Sequence, residues 1–213
     1  MKPINRRTLL ALAPALMTGG SLLSSRAMAQ ASDPRLTIRA AGNPSARVRV
    51  EEWFSLTCTH CARFAAEIFP EVRSKLIDTG KVYYIFRDFP LDQVALTASM
   101  VARALPPERY EAFVLALLSS QDRWAFGKDA YGNEVNHEAE IQKMAALAGM
   151  SPDLFQQTIH DETLRHAIME EEDRAQMQYK IDGTPTFRFN DKEQVSQELT
   201  YEEFAKKVEA AAQ

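Results

Sequence analysis

The feature that most constrains the fold is a closely spaced cysteine pair, Cys58 and Cys61, between a strand-like run and a helix-like run. These are the only two cysteines in 213 residues. The strand-like run covers residues 48–54, and the helix-like run covers residues 62–69. A cysteine at a helix N-terminus lies close to oriented backbone N–H groups and to the positive end of the helix dipole, so its thiolate is favoured. The pattern therefore predicts a redox site.

Three other uses of two cysteines at this spacing compete with a redox role. A structural zinc site normally has four protein ligands, and the histidines His137, His160 and His166 are scattered far along the chain. Covalent haem attachment requires a histidine directly after the second cysteine, and this chain has Ala62 there. A purely structural disulfide would close too small a loop to stabilise the fold much. We predict no metal site, and the zinc and structural-disulfide interpretations stay open as the less favoured ones.

The N-terminus has the three parts of an export signal. A basic start precedes an apolar stretch at 9–17, and small residues at 27–29 provide a cleavage site. We predict a signal peptide at residues 1–29 that is removed, with an ordinary amphipathic helix as the alternative. Arg6 and Arg7 fit either general secretion or the twin-arginine route, and the route stays open. Export would place the cysteines in an oxidising compartment, where a disulfide can form and persist.

The charge balance argues against a nucleic-acid partner. Removing residues 1–29 deletes four basic side chains and no acidic one, which changes the net charge from −4 to −8. Nucleic-acid binding would require clustered lysine and arginine residues. Residues 30–213 suit one domain, or one domain that carries an insertion.

Hydrophobic periodicity predicts a βαβ unit, then a stretch of helices only, then a β-hairpin and a closing helix. The βαβ crossover should be right-handed, and its helix should kink at Pro70. We therefore divide the chain at residues 30–90, 91–179 and 180–213. The predicted strands cover residues 36–39, 47–54, 81–86, 186–189 and 193–196. The predicted helices cover residues 62–80, 93–105, 107–119, 137–148, 152–158, 162–179 and 201–212.

Three short motifs make the chain resemble a known family. Residues 54–61 (FSLTCTHC) contain the cysteines, residues 86–91 (FRDFPL) leave the second central strand, and residues 183–187 (GTPTF) open the next strand. With the helical stretch between those strands, the chain resembles the thioredoxin-fold thiol oxidoreductases, and within them the periplasmic DsbA-like proteins. The resemblance covers residues 36–213.

The resemblance implies an α/β fold, specifically a thioredoxin fold with a helical domain inserted between the βαβ unit and the C-terminal β-hairpin–helix. Residues 30–90 and 180–213 would be the two thioredoxin-like parts, and residues 91–179 the helical insertion.

The resemblance also implies roles for the residues of the cysteine motif. Cys58 would be the exposed nucleophile that forms a mixed disulfide with a client protein, and Cys61 would be the buried resolving cysteine. His60 would stabilise the Cys58 thiolate through charge or hydrogen bonding, which makes the disulfide more oxidising. Thr59 stands where the family most often has proline.

Two further positions complete the predicted site. Pro185 would be a cis-proline that faces the disulfide, and the backbone of Thr184 would then be free to pair with a client strand. Glu52 lies on the strand face shared by Val50 and Phe54, where burial would raise its pKa. It could then relay a proton to or from Cys61.

The function implied by the resemblance is that of a periplasmic thiol:disulfide oxidoreductase. It would donate a Cys58–Cys61 disulfide to unfolded or reduced exported proteins through a mixed-disulfide intermediate. That disulfide would be the redox group, with no further cofactor, and a membrane quinone-linked thiol oxidase would reoxidise it. We expect a monomer.

Two alternative functions stay open. A disulfide isomerase or reductase is favoured mildly by Thr184, because strongly oxidising members of the family more often have valine there. Isomerases usually carry an additional dimerisation domain, and only a short stretch lies between the predicted signal and the first strand, which favours an oxidase. The second alternative is a peptide-binding chaperone on the same fold with an idle cysteine pair.

Overall fold

A mixed sheet with two parallel strands at its centre organises the structure. The computed structural model describes residues 33–213, so the predicted signal peptide at residues 1–29 lies outside the described residues. The strands are β1 (Arg39–Ala41), β2 (Val48–Phe54), β3 (Val82–Asp88), β4 (Thr186–Phe189) and β5 (Glu193–Val195). Their order is β1-β3-β2-β4-β5, with β2 and β3 parallel and the other neighbours antiparallel. The predicted α/β thioredoxin-type sheet is therefore confirmed.

The first strand differs in position from its prediction. The sequence predicts a strand at residues 36–39, whereas a 3-10 turn occupies Pro34–Leu36 and β1 covers Arg39–Ala41. Proline fixes its own φ near the helical value and favours a turn at this point. Pairing with β3 then begins only at Arg39, which lies opposite Phe86.

One helical segment, α1 at residues 59–77, connects β2 to β3. Thr59–Arg63 and Phe69–Val72 are α-helical, whereas Phe64–Ile68 and Arg73–Ile77 are π-helical. Pro70 lies in the first turn of the second α-helical stretch, and it cannot donate a hydrogen bond to the turn before it. A π-helical turn at Phe64–Ile68 directly precedes this stretch, and the kink at Pro70 itself stays a prediction.

Between β3 and β4 the chain is mostly helical, as the sequence predicts. These helices are α2 (Gln93–Ala104), α3 (Pro107–Ser119), α4 (Gln121–Trp124), α5 (His137–Leu147), α6 (Pro152–Ile159) and α7 (Glu162–Tyr179), and α8 (Tyr201–Ala211) follows β5. The short helix α4 was not predicted, since four residues carry no detectable periodicity. Side chains of Asp92, Asn136, Ser151 and Asp161 cap four of the helices. Within residues 33–213, no helix has the length and apolar character needed to cross a bilayer.

The two faces of β2 pack against different layers. Val50 and Phe54 belong to the main core, which also contains the buried side chains of α1, α3 and α8. Trp53 points to the opposite face, where it packs with Ala175 of α7 and with Ile181. β2 pairs with β3 on one edge and with β4 on the other, so it is a central strand that is also covered on both faces. Cys58 follows its C-terminal end.

Phe204 of α8 is the aromatic side chain that joins the closing helix to the sheet. It is fully buried, and its ring centroid lies 5.2 Å from that of Phe189, 5.7 Å from Phe187 and 6.0 Å from Phe64. Aromatic pairs at such distances contribute beyond the area that they bury. We predict that Phe204→Ala lowers the free energy of unfolding by about 3–5 kcal/mol.

Urea unfolding of the two variants measures this effect. Leu147→Ala is the control, because Leu147 is 91% exposed and its loss should change the free energy of unfolding by less than about 0.5 kcal/mol. Equal effects of the two substitutions would show that the α8–sheet contact is not a principal part of the core.

Candidate active site

Cys58 lies at the position where β2 has ended and α1 begins. It is the N-cap residue of Thr59–Arg63, with extended backbone angles of φ −79° and ψ 118°. Its sulfur accepts a hydrogen bond from the backbone N–H of Cys61 at 3.2 Å. N-cap side chains normally accept such bonds through oxygen, and here a sulfur takes that place. The first turn of the helix therefore directs donors at the Cys58 sulfur.

The two thiols have shifted acidities of opposite sign. The pKa of Cys58 is lowered to about 6, mainly by a hydrogen bond from the Cys61 side chain, with smaller contributions from the Thr184 side chain and from the backbone N–H groups of Cys61 and His60, whereas burial opposes the shift. The pKa of the Cys61 thiol is raised well above its ordinary value by burial, by its hydrogen bond to Cys58 and by the nearby charge of Glu52. Near neutral pH the pair therefore carries its negative charge on Cys58.

The accessibility of the cysteines differs from the prediction in one respect. Both are free thiols, Cys61 is fully buried as predicted, and Cys58 is 6% exposed. The prediction of an exposed Cys58 is therefore wrong for this reduced form, although Cys58 is the more accessible of the two. The cause is the loop before β4, because the Cys58 thiol donates a hydrogen bond to the carbonyl oxygen of Thr184 at 3.3 Å.

The Thr184–Pro185 peptide bond is cis, as the resemblance predicts. It directly precedes β4, which pairs antiparallel with β2. The sheet thus brings residues 184–185 beside Cys58, although about 126 positions separate them in the chain. The predicted juxtaposition of these residues with the cysteine is present.

Glu52 lies on the core face of β2, below the cysteines. It is buried, and the hydroxyl of Tyr84 donates a hydrogen bond to Glu52 Oε2 at 2.6 Å. Burial raises the pKa of Glu52 to about 7, the Tyr84 hydrogen bond opposes that shift, and the charge of Cys58 adds to it. Glu52 is therefore a carboxyl group that can gain or lose a proton near neutral pH, next to a thiol that holds its proton tightly.

The side chain of His60 does not hydrogen-bond the Cys58 sulfur. Its Nδ1 lies 2.8 Å from Oε1 of Glu198, whose other oxygen accepts a hydrogen bond from Arg63 at 3.0 Å. The hydrogen bond that His60 contributes to the low pKa of Cys58 comes from its backbone N–H. The hydrogen-bonded form of the prediction for His60 is not present in this conformation, because Glu198 holds the ring, and stabilisation of the Cys58 thiolate through the charge of His60 stays a prediction.

Gln121 is a residue of the site that the sequence did not predict. Its side-chain Nε2 donates hydrogen bonds to the carbonyl oxygens of Leu56 at 2.7 Å and Cys58 at 3.0 Å. Gln121 is buried and begins α4, so the helical segment holds the loop that carries Cys58. Nothing in the sequence distinguishes it from a surface glutamine, since its partners lie more than 60 positions away.

The loop between β2 and α1, residues 55–58, is also held by hydrogen bonds to residues 91 and 92. Ser55 Oγ accepts a hydrogen bond from the backbone N–H of Leu91 at 3.2 Å, and Thr57 Oγ1 donates to Asp92 Oδ2 at 2.7 Å. Asp92 also caps α2. The serine of the first motif and the end of the second motif are therefore in contact.

Among residues 33–213, no group of three or more histidine, cysteine, aspartate and glutamate side chains could hold a metal ion. The three other histidines lie outside the site, and Nδ1 atoms of His137 and His160 are bonded to backbone carbonyls. The chemistry available at the site is therefore that of two thiols and one buried carboxyl group.

Comparison with known proteins shows the family to which the chain belongs. A family model described as thioredoxin matches residues 35–210. A Rickettsia typhi protein that carries the name of a protein-disulfide oxidoreductase is 31% identical over 150 residues, covering 70% of this chain and 53% of that protein. The chain therefore spans about half the length of that relative.

Solved structures give a fuller match. The crystal structure of α-DsbA1 from Wolbachia pipientis is 30% identical, with a TM-score of 0.73, and covers 83% of this chain and 91% of that one. Oxidised BdbD from Bacillus subtilis has a TM-score of 0.69 at 20% identity, over 82% of this chain and 92% of that one. The second likeness concerns the fold alone.

The site geometry predicts the titration of the reduced protein. The ultraviolet absorbance of its thiolate should rise with a midpoint near pH 6, because Cys58 loses its proton there. Since an ordinary thiol titrates at about 8.5, ionised Cys58 stabilises the reduced fold above that pH. This stabilisation should be lost as the pH falls through about 6.

Two variants assign the transition. Cys58→Ser should remove it and leave no thiolate signal at neutral pH, whereas Cys61→Ala should keep a transition at higher pH, since the side-chain hydrogen bond that most lowers the pKa of Cys58 is lost. A wild-type midpoint near 8.5, the ordinary value of a thiol, would contradict this description of the site.

Proposed function

The chain belongs to the thioredoxin family, and we propose that it is a DsbA-like thiol:disulfide oxidoreductase that donates a Cys58–Cys61 disulfide to exported proteins. The observation that carries this proposal is the Cys58 sulfur at the N-cap of α1, with a pKa lowered to about 6. A stabilised thiolate stabilises the reduced form, so the corresponding disulfide is a stronger oxidant.

The reaction proceeds by two exchanges. A client thiolate attacks the Cys58 sulfur, which breaks the Cys58–Cys61 bond, forms a mixed disulfide and leaves Cys61 as a thiolate. A second client thiolate then attacks the client sulfur of the mixed disulfide and releases Cys58. The client loses two electrons and forms a disulfide, and the protein gains both electrons. Cys58 is the better leaving group, because its thiolate is the stabilised one.

Glu52 is proposed to handle the proton of Cys61. Once the first exchange has released the Cys61 thiolate, its high pKa requires protonation, and the acid form of Glu52 supplies the proton. When the disulfide forms again, ionised Glu52 accepts that proton. A pKa of about 7 suits both directions, because neither form of the carboxyl group is scarce near neutral pH.

Thr184 and Pro185 are proposed to bind the client backbone. The carbonyl oxygen of Thr184 accepts a hydrogen bond from the Cys58 thiol, so the position next to the reacting sulfur offers a backbone acceptor. An extended client segment could pair there as an added strand. A client held in this way would present its own cysteine to Cys58.

The remaining assignments extend the same proposal. We place the protein in the periplasm, after removal of residues 1–29, with residues 30–90 and 180–213 as thioredoxin-like parts and residues 91–179 as the inserted helical domain. Reduced or unfolded exported proteins are its clients, and a membrane quinone-linked thiol oxidase reoxidises it. It acts as a monomer, without a cofactor beyond its own disulfide and without a nucleic-acid partner.

Oxidation of a reduced, unfolded client protein tests the activity. The oxidised protein should form client disulfides faster than a buffer control, and Cys58→Ser should abolish the reaction because the attacked sulfur is gone. Cys61→Ser should lose the reaction too, because it cannot form the disulfide. Given a client that already contains a disulfide, its Cys58 thiolate should break that bond, release one client thiolate and, with no Cys61 to resolve it, accumulate a mixed disulfide visible on a non-reducing gel. A wild-type rate equal to that of the buffer control would contradict the oxidoreductase function and favour a peptide-binding chaperone.

A parallel assay with a scrambled client sets the direction of the reaction. An oxidase should form disulfides in the reduced client much faster than it converts the wrong disulfides of the scrambled client into native ones. The reverse order would assign the protein as a disulfide isomerase.

A further inference from the structure

Among residues 33–213, Tyr84 is the one side chain that hydrogen-bonds the buried Glu52 carboxyl group. It comes from β3, whereas Glu52 comes from β2, and the two strands pair in parallel. Tyr84 lies opposite Val50, two positions before Phe86, which is the partner of Glu52. Glu52 and Tyr84 are thus diagonal neighbours on the core face of the sheet, within reach of each other.

The contact is short and buried. The Tyr84 hydroxyl is 2.6 Å from Glu52 Oε2, Tyr84 is fully buried, and its ring packs on Phe69 and Phe86 at centroid distances of 5.2 Å. The packing holds the ring in place, so the hydroxyl is directed at one carboxyl oxygen. A phenol bonded to a carboxylate stabilises the ionised form of the carboxyl group.

Other groups around the pair do not supply a second donor to the carboxyl group. Cys58 at the N-cap of α1 and Cys61 within α1 both interact electrostatically with Glu52, and neither is a cation. The charge of Glu111 of α3 acts on the Tyr84 phenol, and its carboxylate is paired with Arg73 of α1. Tyr84 is therefore the hydrogen-bond donor that stabilises the ionised form of Glu52 inside the core.

We propose that Tyr84 is a positioning residue, which sets the pH range over which Glu52 exchanges the proton of Cys61. This inference rests on the proposed role of Glu52 and adds the group that adjusts it. Without the phenol, burial would act on the carboxyl group unopposed, and Glu52 would hold its proton to higher pH. The step in which Cys61 loses its proton would then reach the same rate only at a higher pH.

Reoxidation of the reduced protein by oxidised glutathione isolates that step. The Cys58 thiolate first takes one glutathione, with release of the other as a thiolate. Cys61 then gives its proton to Glu52, attacks Cys58 and expels the bound glutathione, so that the disulfide closes. The rate of this second step, followed by mass spectrometry of quenched samples, should rise with pH as Glu52 ionises.

We expect Tyr84→Phe to move the midpoint of that pH profile upward by about one unit, as loss of a hydrogen bond to a charged group implies. Near pH 7 the step should be about fivefold slower, because a smaller fraction of Glu52 is ionised. The midpoint does not depend on the amount of folded protein, so a loss of stability does not imitate the effect. Carbon NMR of the Glu52 carboxyl group should show the same upward shift of its pKa.

Tyr110→Phe is the matched control. Tyr110 is also fully buried, and its hydroxyl lies 3.4 Å from a carboxylate oxygen of Asp88. That pair is separate from the cysteines, so its loss should leave the pH profile unchanged. An equal shift in both variants would overturn the proposal, since a general loosening of the core would then explain it.

Glu52→Gln separates the two levels of the inference. If it flattens the pH profile and Tyr84→Phe no longer shifts anything in its background, both roles are supported. If Glu52→Gln flattens the profile but Tyr84→Phe alone does not move it, the role of Tyr84 is wrong and that of Glu52 stands. If Glu52→Gln leaves the profile unchanged, both roles are wrong.

Discussion

The interaction on which the site depends is the hydrogen bond from the Cys61 backbone N–H to the Cys58 sulfur, at 3.2 Å. It makes a sulfur atom the N-cap of α1, so negative charge at Cys58 is stabilised by the end of a helix. Several contacts hold this arrangement. Gln121 fixes the carbonyl of Cys58 from the helical segment, and the cis Thr184–Pro185 bond lies against the sulfur from the sheet.

The difference between the two thiols gives the site its direction. Cys58 has a pKa lowered to about 6, and burial raises the pKa of Cys61 well above its ordinary value. The two sulfurs are therefore unequal leaving groups, and the proton of the poorer one has to be moved. Glu52 on β2, hydrogen-bonded by Tyr84 of β3, is the buried group that we propose for this proton transfer.

Local patterns in the sequence predicted the architecture well. Strand periodicity located β2 and β3, and the family resemblance carried by the motifs around the cysteines and around Pro185 implied which loops meet. These features succeed because they depend on neighbours within a few residues, or on a motif that fixes a backbone conformation. Burial on both faces of β2 could also be predicted, since both faces of the strand carry large apolar side chains.

Contacts between distant residues escaped prediction. Gln121 reaches the Cys58 loop across 63 positions, and Glu198 holds the His60 ring across 138 positions. The sequence marks neither of them, because a single polar residue in a helix or a loop has no periodicity. The burial of Cys58 was missed for the same reason, since it depends on how closely the loop at Thr184 approaches.

The redox equilibrium of the Cys58–Cys61 pair with glutathione buffers is the most direct test of the stabilised thiolate. A thiolate held at the N-cap of α1 predicts a potential above about −200 mV, on the oxidising side of thioredoxin at about −270 mV. A potential at or below about −270 mV would contradict it, because the reduced form would then gain nothing from the position of Cys58.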